Sequence, residues 1–174
     1  KSEKISGYFL LEKSVKIPGK KEKTIEDCFV WSPLGASIEI KGVCEIKNSN
    51  MQNVFAWMEC YESIRLEKSQ FSIASDLRSP HGLLLVNFEC DYYSRPAVNI
   101  NQCEFECEES GALKIQGARA YEKIEIENSM FKTSESRTAV IVTGGLYENC
   151  KYFSVKGSNL HPDNYGFSIE KNGD

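Results

Sequence analysis

Five aspartates, Asp27, Asp76, Asp91, Asp163 and Asp174, are the short carboxylates available for acid–base work. Hydrolysis of a glycosidic bond needs two carboxyl groups at a set separation, one to protonate the leaving oxygen and one to act as base or nucleophile. No two of these aspartates are neighbours in sequence, so no catalytic residue is assigned. His81, in Ser79-Pro80-His81-Gly82, and His161, in Asn159-Leu160-His161-Pro162-Asp163, lie in turn-like stretches without a partner and read as exposed. Cysteines at 28, 44, 60, 90, 103, 107 and 150 form no CxxC pair and have no His at zinc-site spacing. Cys103 and Cys107 would share a strand face, but burial as a small apolar side chain accounts for Cys103 better than redox chemistry does. No metal and no cofactor is expected.

Tyrosines supply the other chemistry. Tyr61, Tyr92 with Tyr93, Tyr121 and Tyr147 each fall three to six residues before a recurring apolar phrase, which predicts a column of aromatics along one corner of the molecule. Exposed aromatic columns suit the apolar faces of sugars, and Tyr and Trp dominate protein–protein hot spots. Arg65, Arg95 and Arg119 lie close by in sequence and would add hydrogen bonds. Packing of the corner by the rings, with hydroxyls in water, is the competing expectation. Trp31 is ambiguous in the same way, and Trp57 is expected in the core.

The elements that must position these residues are written in the repeat. Ile124-Glu125-Ile126-Glu127-Asn128-Ser129-Met130-Phe131 recurs as Cys44–Met51, Ile64–Phe71, Val98–Phe105 and Phe153–Leu160, after a degenerate copy at Ile25–Val30. One column stays small: Cys28, Ser49, Ser69, Cys103, Ser129, Ser158. Another stays large and apolar: Val30, Met51, Phe71, Phe105, Phe131, Leu160. Apolar and polar residues alternate with the period of two that a strand requires. A second strand precedes each copy, beginning at residues 36, 55, 83, 112, 139 and 167, so most steps are near 28. Two short strands per repeat at that period predict the coil of a β-solenoid, in which stacking lays like residue on like residue. Asp27, Asn48, Lys68, Gln102, Asn128 and Gly157 fall where the chain must turn between faces, a position suited to Asn, Asp and Gly. No apolar stripe of helical period is sustained. A β-sandwich would share the short strands but needs no fixed register of like residues.

Composition agrees with one soluble domain across 1–174: 174 residues, 41% hydrophobic and 26% charged. The formal charge of −4 argues against a dedicated nucleic-acid binder, and Lys20-Lys21-Glu22-Lys23 reads as a solvated basic turn. Apolar runs are far shorter than the roughly 20 residues of a spanning helix, so no membrane is expected. An odd number of cysteines and the absence of an Asn-x-Ser/Thr acceptor lean toward a reducing, cytoplasmic setting, with the extracellular alternative left open. A start at Lys1 and a stop within a new coil read as a fragment of a longer chain.

The phrase "IxIxNSxF", with the preceding "GALxIxG" strand, resembles the right-handed parallel β-helix repeats of the pectin-lyase-like superfamily over roughly residues 8 to 170, in about six coils. The resemblance supplies the handedness. It also implies where activity would lie in lyases of that kind, which hold calcium on clustered acids and use an Arg or Lys as base. Glu59, Glu62, Glu89 and Asp91, with Arg65 or Arg95, are the residues such a site would use, and as outward residues they read instead as solvent-facing. Glu106, Glu108 and Glu109 read the same way. The expectation is a non-enzymatic binding or scaffold module presenting a rigid face to a protein partner. The alternative is a carbohydrate-binding or carbohydrate-cleaving fragment in which the tyrosine column holds the glycan.

Overall fold

The computed structural model describes residues 2–74, 77, 82–91, 94–107, 111–118, 121–133, 139–143, 153–156, 159–160 and 167–170. Among these residues every regular element is a strand. The chain opens with β1 (Glu3–Leu10), β2 (Val15–Ile17), β3 (Lys23–Lys41), β4 (Val43–Lys47) and β5 (Asn50–Cys60). It continues with β6 (Ser63–Glu67), β7 (Gln70–Ser72) and β8 (Leu84–Phe88), then β9 (Ala97–Asn101), β10 (Glu104–Cys107) and β11 (Leu113–Gln116). The remaining strands are β12 (Lys123–Glu127), β13 (Met130–Thr133), β14 (Val140–Thr143), β15 (Phe153–Lys156), β16 (Asn159–Leu160) and β17 (Phe167–Glu170).

All pairings among the described residues are parallel, and together they make one strongly curled sheet of solenoid-like shape. Three ladders can be traced through it. In the first, Ile25 pairs with Ile46, Leu66 follows, then Ile100, Ile126 and Val155. In the second, Phe9, Val30, Met51, Phe71, Phe105, Phe131 and Leu160 stand in line. In the third, Val15, Ile38, Ala56, Leu84, Leu113, Val140 and Phe167 do so. A parallel pair needs a long crossover between its strands, and here the other two ladders provide it.

The repeated phrase therefore contributes to two ladders, not one, and from β6 onward each rung holds three separate strands, whereas β3 runs through all three ladders unbroken. Asn128, with φ of 51°, separates β12 from β13, and Asp27, Asn48, Lys68 and Gln102 make the same bend with φ between 47° and 54°. The turn-forming column expected from the sequence is thus a column of left-handed residues, a conformation most side chains avoid. Spacing along the chain is less regular than a fixed period: laterally bonded residues are 20 apart at Asn50–Gln70, 34 at Gln70–Glu104 and 26 at Cys103–Ser129.

The small column explains how these corners are sealed. Hydroxyls of Ser49, Ser69 and Ser129 donate to the carbonyls of Lys47 (2.8 Å), Glu67 (2.9 Å) and Glu127 (2.9 Å). The same oxygens accept N–H groups from the adjacent rung: Cys28 to Ser49 (3.2 Å), Ser49 to Ser69 (3.2 Å) and Cys103 to Ser129 (3.1 Å). Cys103 substitutes its thiol, which donates to the Asn101 carbonyl at 3.4 Å and which burial pushes up to about 11. Ser69→Ala leaves the buried Ser49 N–H without its acceptor and removes one of two hydrogen bonds to the Glu67 carbonyl, which keeps the Asn48 N–H (3.0 Å), so we expect a loss of about 1–3 kcal/mol in urea unfolding. Ser69→Cys, matching the thiol already used at Cys103, is expected to recover part of that loss.

Inside, the large column stacks its rings. Phe71 and Phe105 lie 5.0 Å apart and 7° from parallel, Phe105 and Phe131 4.8 Å apart and 2° from parallel, which is the lateral spacing of strands. Three expectations are corrected here. Ala56 and Met58 take the inward positions of β5, so Trp57 faces outward and is half-buried. Lys23 does not sit in a solvated turn: it is buried and donates to the carbonyls of Lys41 (2.8 Å) and Lys21 (3.2 Å), while Lys20 and Lys21 are exposed. Glu59 is likewise buried rather than solvent-facing, with Lys41 at 2.7 Å.

Candidate functional site

The outward face of the second ladder changes character along the stack. Its first two rungs carry Tyr8 and Leu10 on β1 against Phe29 and Trp31 on β3, paired in register. The equivalent positions then become Asn50 and Gln52, Gln70 and Ser72, Glu104 and Glu106, and Met130 and Lys132. Outward apolar residues on a sheet normally find cover; Tyr8 is instead 89% exposed, Leu10 57% and Trp31 40%. Leu34, at 79%, stands beyond Trp31 where the register of β3 shifts. The buried Ser32 hydroxyl fixes that irregularity by accepting the N–H groups of Ala36 (2.9 Å) and Leu34 (3.4 Å). Tyr8 and Phe29 rings meet at 5.9 Å, tilted by 41°. The result is an aromatic and aliphatic patch of Tyr8, Leu10, Phe29 and Trp31 on a backbone held by ladder hydrogen bonds, with Leu34 beyond it where the ladder is interrupted.

Beside the patch the surface is polar and ordered. Lys132 Nζ donates to Glu104 Oε1 (2.8 Å), Gln70 Nε2 donates to Glu104 Oε2 (3.5 Å), and Asn50 Nδ2 donates to Gln70 Oε1 (3.0 Å). One carboxylate therefore sets the orientation of two amides in succession. A shallow groove over this corner is lined by Asn48, Asn50, Lys68, Gln70, Gln102 and Asn128. On the neighbouring face Glu26 bridges Lys4 (2.7 Å) and Lys47 (3.2 Å). Hydrogen bonds from Lys4 first and Lys47 second hold the Glu26 carboxyl below its ordinary value near 4.5. A depressed carboxylate stabilises the fold above its unfolded-state value, and that stabilisation disappears as pH falls through the folded-state value. Glu26→Gln should therefore melt below the parent at pH 7, with the two melting curves converging toward pH 3; a gap that widened on acidification would contradict this assignment.

The tyrosine column does not form as expected among the described residues. Tyr121 is fully buried and meets Phe88 edge-on at 6.0 Å, so it is a core residue and is withdrawn as a surface contact. Tyr61 is half-buried, donates its hydroxyl to the Gly19 carbonyl (3.1 Å), and lines a cleft with Pro18, Gly19, Lys20, Lys41 and Glu89. Arg95 is exposed. Tyr92, Tyr93, Tyr147 and Arg119 lie outside the described residues, as do His81 and His161. Of the acids that a calcium site would use, Glu59 is engaged by Lys41, whereas Glu62, Glu89 and Asp91 are exposed. Among the described residues no three His, Cys, Asp or Glu side chains converge as a metal site, and no helix is long and apolar enough to cross a membrane.

The patch was readable in principle. Tyr8-Phe9-Leu10-Leu11 and Cys28-Phe29-Val30-Trp31 are apolar at inward and outward positions alike, where later copies alternate with polar residues. Comparison with known proteins returned no matching family model, no matching curated protein and no matching solved structure.

Proposed function

We propose that the chain is a right-handed parallel β-helix of about six coils, similar to the pectin-lyase-like repeats, and that it acts as a non-enzymatic binding module presenting a rigid face to a protein partner. Three parallel ladders, left-handed corners and a stacked phenylalanine column support the fold. The strong right-handed preference of parallel crossovers supports the hand. One observation carries the function: Tyr8, Leu10 and Trp31 are exposed together on a rigid sheet face, with Leu34 exposed where β3 leaves that ladder, and exposed contiguous apolar surface marks interaction sites. Tyr and Trp are also the residue types that concentrate binding energy. The thiols of Cys28, Cys44, Cys60, Cys90 and Cys103 are free, which fits a reducing compartment.

The amide-lined groove favours a second reading, in which hydroxyls of a glycan take up the ordered side chains of Asn48, Gln70 and Asn128. A photo-crosslinking residue at position 34, with position 114 as a distant outward control, separates the two. A discrete protein adduct from 34 and none from 114 supports the partner reading. Absence of adducts from both, together with saturable binding on a glycan array, sinks it in favour of the sugar.

A further inference from the structure

We infer that the occupant of the apolar patch is a second copy of this chain, packed face to face about a two-fold axis; this rests on the binding-module reading and names its partner. Size comes first. Aromatic side chains bury roughly 150–250 Å² each. At 89% for Tyr8 and 40% for Trp31, with Leu10 and Leu34 more than half exposed, the patch offers on the order of 500 Å². Two such patches cover about 1,000 Å², the size at which specific contacts begin, and the amide border enlarges it.

Chemistry at the border selects the copy over an unlike partner. Of the charges around it, Lys4 is compensated by Glu26 and Asp27, and Glu26 by Lys47, while Glu12 and Lys13, exposed just after Leu11, carry opposite signs. A charged partner would find little net field to match there. Asn50 and Gln52, which replace the aromatics on the next rung, are amides carrying both donors and acceptors. Across a two-fold axis the same patch meets itself, so the border must be self-complementary, and amides satisfy that condition where a lone cation or anion would not. The acidic residues Glu104 and Glu106 lie two rungs further along the same face. Packing confined to the first two rungs keeps those carboxylates of the two copies apart. Sheets meeting this way sit about 10 Å apart with interdigitated side chains.

Sedimentation velocity of the whole chain over three decades of concentration tests this. The expected result is a reversible rise from the 19.7 kDa monomer toward twice that mass. Leu34→Asp and, separately, Trp31→Gln should each weaken the dimer at least tenfold, with unchanged circular dichroism. A wild-type chain that stays monomeric throughout overturns the inference, as does a dimer indifferent to both substitutions. If the chain is monomeric yet position 34 still gives a heterologous adduct, self-association fails while the partner reading survives. A monomer with no adduct removes both.

Discussion

Phe105→Ala is expected to lower the unfolding free energy by about 3–5 kcal/mol, the cost of emptying a fully buried phenylalanine site. Its ring is sandwiched between those of Phe71 and Phe131 at 5.0 and 4.8 Å, and none of it reaches solvent. Truncation therefore opens a cavity bounded by two flat faces that cannot close on each other, because backbone pairing fixes their rungs. In a stack whose stability is a sum of nearest-neighbour terms, the loss falls on both adjoining rungs. Phe105→Leu keeps most of the volume and should cost less than half as much. Urea unfolding followed by circular dichroism measures both. Equal midpoints for Phe105→Ala and the parent would mean that the ring column contributes nothing to stability.

The second large effect is expected at Gly117. Its φ is +94°, and a Cβ there would stand 2.3 Å from the Phe88 carbonyl oxygen and 2.8 Å from the Phe88 nitrogen. Left-handed strain of about 1–2 kcal/mol adds to an overpacking cost of about 1–3 kcal/mol, so Gly117→Ala should lose about 2–5 kcal/mol. Gly7 separates the two terms. Its φ is +121°, but nothing lies within 4 Å of the added carbon. Gly7→Ala should therefore carry the backbone cost alone, and thermal melts of the two variants should differ by the steric contribution. If both variants melt together, close approach to Phe88 is not what requires glycine at 117.

Much of the architecture was legible because stacking imposes its chemistry column by column. Ser49, Ser69 and Ser129 could be aligned before their hydrogen bonds were known, and the corner residues were correctly placed at Asp27, Asn48, Lys68, Gln102 and Asn128. Two strands per repeat is one too few for the later rungs, although the turn placed inside the phrase already implies the third. Ile126 and Phe131 both point inward and are an odd number of residues apart, which a single strand of period two cannot accommodate. Tyr121 misled for a different reason. Distance along the chain to the next phrase says nothing of orientation where connecting segments differ in length, and this tyrosine turned into the core beside Phe88. Lys23 was misread because a run of lysines predicts solvent, whereas two backbone carbonyls at a corner can hold one ammonium out of water.

The serine relay bears on how such a chain can change length in evolution. Each hydroxyl satisfies a carbonyl of its own rung and one N–H of the rung before. Excising the rung between Ser49 and Ser69 would bring the Cys28 N–H to the Ser69 oxygen and recreate the bond that Ser49 now makes. Duplication works by the same rule in reverse. Whole rungs are therefore interchangeable units of inheritance, gained or lost without leaving an unmatched polar group in the interior, whereas insertions of part of a rung are confined to the connecting segments.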